Sequence, residues 1–228
     1  MATSGSTDFT LTSRQVINFA LKKLGVLEAG GTASPEDADD AAEELEMMLK
    51  GWAKTGPSIF TVQTNGSEAL VAATASYSLS VTKPLRLLEV RYSDANGREI
   101  PMIELTRTEY FELPEKTANG IPTQYWYDSD GSSYTLYVWP VKPSVTTETI
   151  KYTYQRKIED IDSINNHIDV PVEWLDTVGY CLAQRLVISF GVKAERAARI
   201  DAMAERLLQE AKDYEREPMI TMVPERRY

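Results

Sequence analysis

The sequence has one cysteine and one histidine in 228 residues. A disulfide framework is excluded, and a reducing, cytosolic site of folding follows. Cys181 falls on the apolar side of a helical pattern and reads as a small core residue. A zinc site lacks the Cys and His partners it needs. His167 stands alone in a polar connector, IEDIDSINNHI, without the neighbours of a Ser-His-Asp or Cys-His site. No catalytic residue, metal ligand or cofactor-binding residue is assigned. No apolar run approaches ~20 residues, the length a membrane helix needs. The opening MATSGSTDF has no basic patch before an apolar core and does not read as a signal peptide. Bases are also scarce: 24 Lys and Arg face 34 Asp and Glu, a formal charge of −10. Sequence-independent wrapping of nucleic acid needs cations against phosphates. The balance argues against wrapping and fits a surface that DNA passes without sticking.

What is present is a change of hydrophobic period. Thr12 or Ser13 caps a first helix whose face is Val16, Ile17, Ala20, Leu21 and Leu24, with its stop at Gly25 or after Leu27. Ser34-Pro35-Glu36-Asp37 is a strong start for a second: a capping Ser, Pro at the first helical position, then acids where the helix dipole favours them. From Ile59 to Arg156 the period is two, with turns at Asn96-Gly97 and at Asp128-Ser-Asp-Gly131. Pro101 suggests an edge strand. At Pro171 the period returns to 3.6 and continues to Phe190; Lys193 to Tyr214 follows as a long amphipathic helix. The expected class is α+β. N- and C-terminal helices form a bundle, with an inserted antiparallel β-sandwich or barrel-like region. The expected domains are 11–57 with 169–216, a β domain over 58–160, and an extended C-terminal arm over 217–228.

Three groups of surface residues stand out. The second helix has an acidic face of Glu36, Asp37, Asp40, Glu43 and Glu44, which lies along one side and does not converge as a metal site does. The hairpin carries Tyr125, Trp126, Tyr137 and Trp139, and the last helix carries Arg196, Arg199 and Arg206; these are candidates for a subunit or tail interface. The end of the chain has Pro218, Met219, Ile220, Met222, Val223, Pro224, Arg226, Arg227 and Tyr228. Disordered tails are usually polar, so this apolar stretch reads as an arm that docks on another protein.

The chain resembles the head-to-tail adaptor (head-completion, or connector) proteins of tailed bacteriophages, in particular the short-tailed phages. The residues that carry the likeness are LTSRQVINFALKKLGVL, SPEDADDAAEELEMMLKGWA, QYWYDSDGSSYTLYVWPVKP with IKYTYQRK, and DVPVEWLDTVGYCLAQRLVISFGV. The resemblance implies a structural virion protein without enzyme activity, made in the host bacterial cytoplasm and placed at the head–tail junction. It implies a homo-dodecameric ring that docks on the portal protein, extends the DNA channel without sequence-specific binding, and gives the tail its platform. The arm from Pro218 to Tyr228 becomes the portal-docking segment, and the acidic helix face becomes a channel or outer surface. The large β region departs from the compact helical adaptors. A rival reading keeps the hairpin aromatics and the nearby Asp128 and Asp130 as a carbohydrate-binding or glycan-hydrolysing module, although two acids at a turn tip rarely share a cleft.

Overall fold

In the computed structural model, residues 5, 9–54, 59–81, 84–129 and 134–214 are described. The chain divides into two compact units. One joins the described residues before position 58 to those from Glu159 onward; the other is Ile59–Ile158.

The first unit is helical: α1 (Ser13–Leu24), α2 (Pro35–Trp52), α4 (Leu175–Leu186) and α5 (Ala194–Tyr214). Local chemistry sets their ends. Thr12 caps α1 in a capping box, its hydroxyl accepting from the Gln15 N–H while the Gln15 side chain accepts from the Thr12 N–H. Two further orphan N–H groups of that helix, on Ser13 and Arg14, donate to Asn166 and Ile164 in the connector, at 2.9 and 2.8 Å. Ser34 caps α2 by accepting from the Asp37 N–H, with Pro35 in the first position. Gly25 closes α1 at a φ of +77°, a left-handed conformation that strains any L side chain. The Arg196 guanidinium occupies the space a Cβ would take there and donates to the Leu24 carbonyl at 2.9 Å.

Packing centres on α4. It contacts α1, α2 and α5, and Val178, Leu182, Ala183 and Leu186 are almost completely buried. Ile17, Ala20 and Leu21 come from α1, Ala41, Leu45, Met48 and Leu49 from α2, and Ile200 and Ala204 from α5. The outer three each bring one stripe to α4, and none buries itself without the others. Cys181 is part of this core. The helical pattern that continues to Phe190 in the sequence stops at Leu186. Ile188 is 90 % exposed, so no burial holds a further turn, and Gly191 at φ +56° breaks the chain direction. Pro171 is not the first helical residue. It is extended (ψ 158°) and caps a 3₁₀ turn over Val172–Trp174 that leads into α4.

The second unit has two four-stranded sheets. In one the order is β1 (Val62–Ala69), β8 (Thr149–Gln155), β3 (Arg86–Ser93), β4 (Glu99–Pro101). In the other it is β2 (Ser76–Ser78), β7 (Thr135–Trp139), β6 (Gln124–Asp128), β5 (Ile103–Glu104). Side chains alternating inward meet in one core: Tyr77, Tyr125, Leu136 and Val138 against Val90, Tyr92, Ile150 and Tyr152. Gly66 faces the buried Tyr152 ring, which fills the position of its missing Cβ, at a register shift in β1.

The strand that the alternation and the Asn96-Gly97 turn suggest over Arg98–Leu105 is split at Met102. Pro101 ends β4 at a sheet edge, Met102 donates to the Val90 carbonyl (2.9 Å), and Ile103 then donates to Thr123 in the other sheet (2.9 Å). The pair β5–β6 is parallel, so the second sheet is mixed, not antiparallel throughout. The short apolar segment at Ile59 begins as a 3₁₀ turn (Ile59–Thr61), and the strand follows it.

A charged knot lies inside the β unit. Lys142 pairs with Glu148 and donates to the Tyr92 hydroxyl at 2.9 Å. The Glu148 side chain is 7 % exposed and also accepts from the Thr146 and Thr147 N–H groups. The Lys142 hydrogen bond, with the backbone donors, holds the Glu148 carboxyl down to about 2. A depressed carboxylate contributes stability that is present above its unfolded value, 4.5, and is lost as pH falls towards the folded one. Acid unfolding followed by circular dichroism should therefore show the wild type losing stability between about pH 5 and 2 more steeply than Glu148→Gln. Separately, Gly66→Ala should lower the calorimetric unfolding midpoint, at a cost of about 1–3 kcal/mol, because the methyl displaces the Tyr152 ring from a filled core.

Candidate assembly surfaces

The hairpin of β6 and β7 decides which aromatics are available. Strand alternation sends Tyr125, Leu136 and Val138 inward. Tyr125 is 3 % exposed, and burial pushes its hydroxyl up to about 12. It is spent on packing. Trp126 and Tyr137 are cross-strand partners on the opposite face, stacked at 4.8 Å between centroids and 17° between planes. Trp139 lies two residues beyond Tyr137 and donates its indole N–H to the Glu115 carbonyl at 2.9 Å.

A helical turn is legible in the sequence at Thr108–Leu113; its place over this pair is not. Thr106 and Glu109 form a capping box that starts α3 (Arg107–Glu112). The helix brings Tyr110 to 5.1 Å from Trp126 and 5.2 Å from Tyr137, and Phe111 to 5.4 Å from Trp126. Lys116 stands 5.7 Å from the centroids of both Tyr110 and Phe111. The result is an aromatic pile with Tyr110 and Trp126 buried and Phe111 54 % exposed at its edge. Ile103 pairs with Gln124, so the register places it on the same outer face, where it is exposed. The signal for α3 was its cap motif; nothing local in the sequence says that the helix folds back on the hairpin.

The pile also bears on sugar stacking. A sugar platform offers an open ring face, and Trp126 lies between neighbouring rings at 7 % exposure. Asp128 ends β6, while Asp130 lies outside the described residues. Among the described residues, no group of His, Cys, Asp and Glu could hold a metal ion. The Cys181 thiol, pushed up to about 11 by burial, is not a poised nucleophile. His167 meets Thr10 across a 3.1 Å hydrogen bond in the connector.

In the helical unit the three arginines have different fates. Arg196 secures the end of α1, as above. Arg199 pairs with Glu195 at 2.7 Å and Arg206 with Glu210 at 3.5 Å, both exposed i,i+4 pairs along α5. Such pairs contribute little to stability and exchange readily for another partner. On α2, Glu36, Asp40 and Glu43 are exposed and make no ion pair among the described residues; Asp37 is engaged with Ser34 and Glu44 with Arg185. The stretch Pro218–Tyr228 lies outside the described residues.

The surfaces described are exposed apolar side chains in the β unit and charged helix faces in the helical unit. The model of the SU10 adaptor protein family matches residues 17–227, and the chain belongs to that family. It is a structural protein of the bacteriophage head–tail junction, as the resemblance implied. A search of curated proteins gives no match. A solved structure described as the neck of an empty GTA particle, computed with C6 symmetry, is similar at 16 % identity and a TM-score of 0.27, over 77 % of this chain and 81 % of that one.

The two kinds of aromatic are separable by mutation. Trp126→Ala should destabilise the β unit by roughly 3–5 kcal/mol in denaturant unfolding, since it empties the centre of the pile. Phe111→Ser should leave unfolding within about 0.5 kcal/mol, being at the exposed edge.

Proposed function

We propose that the chain is a ring-forming adaptor that docks on the portal, continues the DNA channel and carries the attachment platform for the tail. The observation that carries this reading is the family match, which runs over nearly the whole chain and therefore includes both units and the terminal stretch. The role is structural, with no chemistry of its own. Its place is the virion, at the junction of head and tail.

Physical features support the parts of the reading. The formal charge of −10 has the same sign as DNA phosphate, so a channel built from this chain repels the duplex and lets it pass without a binding site. The C-terminal stretch from Pro218 to Tyr228 combines two prolines, four aliphatic or thioether side chains and two arginines. It suits an arm that orders on meeting the portal, in which case binding and ordering are one event. Phe111 and Ile103 give the β unit an exposed apolar edge suited to a subunit or a tail component.

Deleting Pro218–Tyr228 tests the arm. The truncated chain should fail to co-sediment with isolated portal rings, while its thermal unfolding stays that of the full chain. Undiminished co-sedimentation would remove the arm from the reading.

A further inference from the structure

The helical unit has a cleft of about 560 Å³ between the end of α1 and the turn that joins α4 to α5. Its apolar lining is Leu24, Val26, Phe190 and Val192, and its cations are Lys193, Arg196 and Arg199. The lining holds one acid, Glu195, which is paired with Arg199. Lys22 and Lys23 stand in the last turn of α1, beside the lining residue Leu24 in the chain, with Lys23 over the Phe19 and Tyr180 rings. In a chain with an excess of acids this is a local reversal of sign. Arg196 is held in place by its bond to the Leu24 carbonyl, so part of the rim is preorganised.

The same unit exposes a helix face with complementary properties. On α2, Glu36, Asp40, Glu43 and Met47 follow one another at i, i+4, i+7 and i+11 and share one side of the helix. The three carboxylates have no cation among the described residues, and Met47 is 54 % exposed in line with them. An apolar side chain set among acids answers an apolar recess set among bases.

We propose that the cleft receives the α2 face of a second copy of this chain, with Met47 entering the apolar part and Glu36, Asp40 and Glu43 meeting Lys193, Arg196 and Arg199. The proposal rests on the ring reading above. The two surfaces are different parts of one unit, so the contact is heterologous, and its repetition is the geometry from which rings close. It assigns the α2 face to the joint between subunits, not to an open channel or outer wall. Charge complementarity sets register and partner choice, and the joint weakens as salt screens it.

Charge exchange in the full chain tests it. Sedimentation velocity, alone and with portal rings, should show that Lys193→Glu with Arg199→Glu weakens self-association by roughly tenfold or more, and that Asp40→Lys with Glu43→Lys does the same. The chain carrying all four substitutions should recover association, because the pairs are restored with sign inverted. All four positions are exposed, so thermal unfolding should be unchanged and is measured alongside. Rings that form equally well with either pair reversed, or a four-substitution chain that fails to recover, overturn this contact and leave the ring reading standing. A wild-type chain that never associates, with or without portal, overturns both.

Discussion

The constraint on which the helical unit depends is that α1, α2 and α5 each have one apolar stripe, and all three pack on α4, which is buried over most of its surface. A single stripe can be buried only by other helices. Here α1 and α2 come from before the β unit, and α4 and α5 from after it, so the burial of α4 requires the two ends of the chain to meet. The β unit is then an insertion by necessity. The connector after β8 does more than join: its Ile164 and Asn166 carbonyls accept the first N–H groups of α1, tying the late part of the chain to the early part by backbone bonds as well as by side-chain burial.

That economy extends to the surfaces. Arg196 is a charged side chain of α5, yet it secures the end of α1 and fills the place beside Gly25. The same residue lines the basic cleft. One side chain thereby links the integrity of the unit to the presentation of its cations. In the β unit the equivalent economy is the aromatic pile. Tyr110 and Trp126 are buried, while Phe111, next in the chain to Tyr110, remains exposed at the edge. Buried and exposed rings fall to adjacent residues because a short helix can bury only one side.

The caps and stops of the helices were legible from local motifs. Thr12, Ser34, Pro35 and Gly25 act where they stand because the groups they satisfy are within a few residues of them. The hairpin of β6 and β7 was legible for the same reason. The crossing at Met102 was not. Both halves of Glu99–Glu104 have strand character, and only the positions of β3 and β6 decide that the chain leaves one sheet for the other. The end of α4 at Leu186 was equally hidden, since Val187 and Ile188 continue the apolar pattern and only the absence of anything to cover Ile188 shows that the pattern is not used.

By itself the sequence determined the class of the protein: no redox or metal chemistry to assign, an acidic surface, two pairs of helices around a stretch of strands, and the order of segments that marks the adaptor family. These depend on composition and on neighbours along the chain. Tertiary structure alone decided which hairpin aromatics are core, that α3 lies on Trp126 and Tyr137, that Arg196 belongs to the end of α1, and that the cations at the start of α5 share a cleft with the end of α1. Each of these joins residues far apart in sequence, and no local period or motif encodes a distance that only the burial of the core sets.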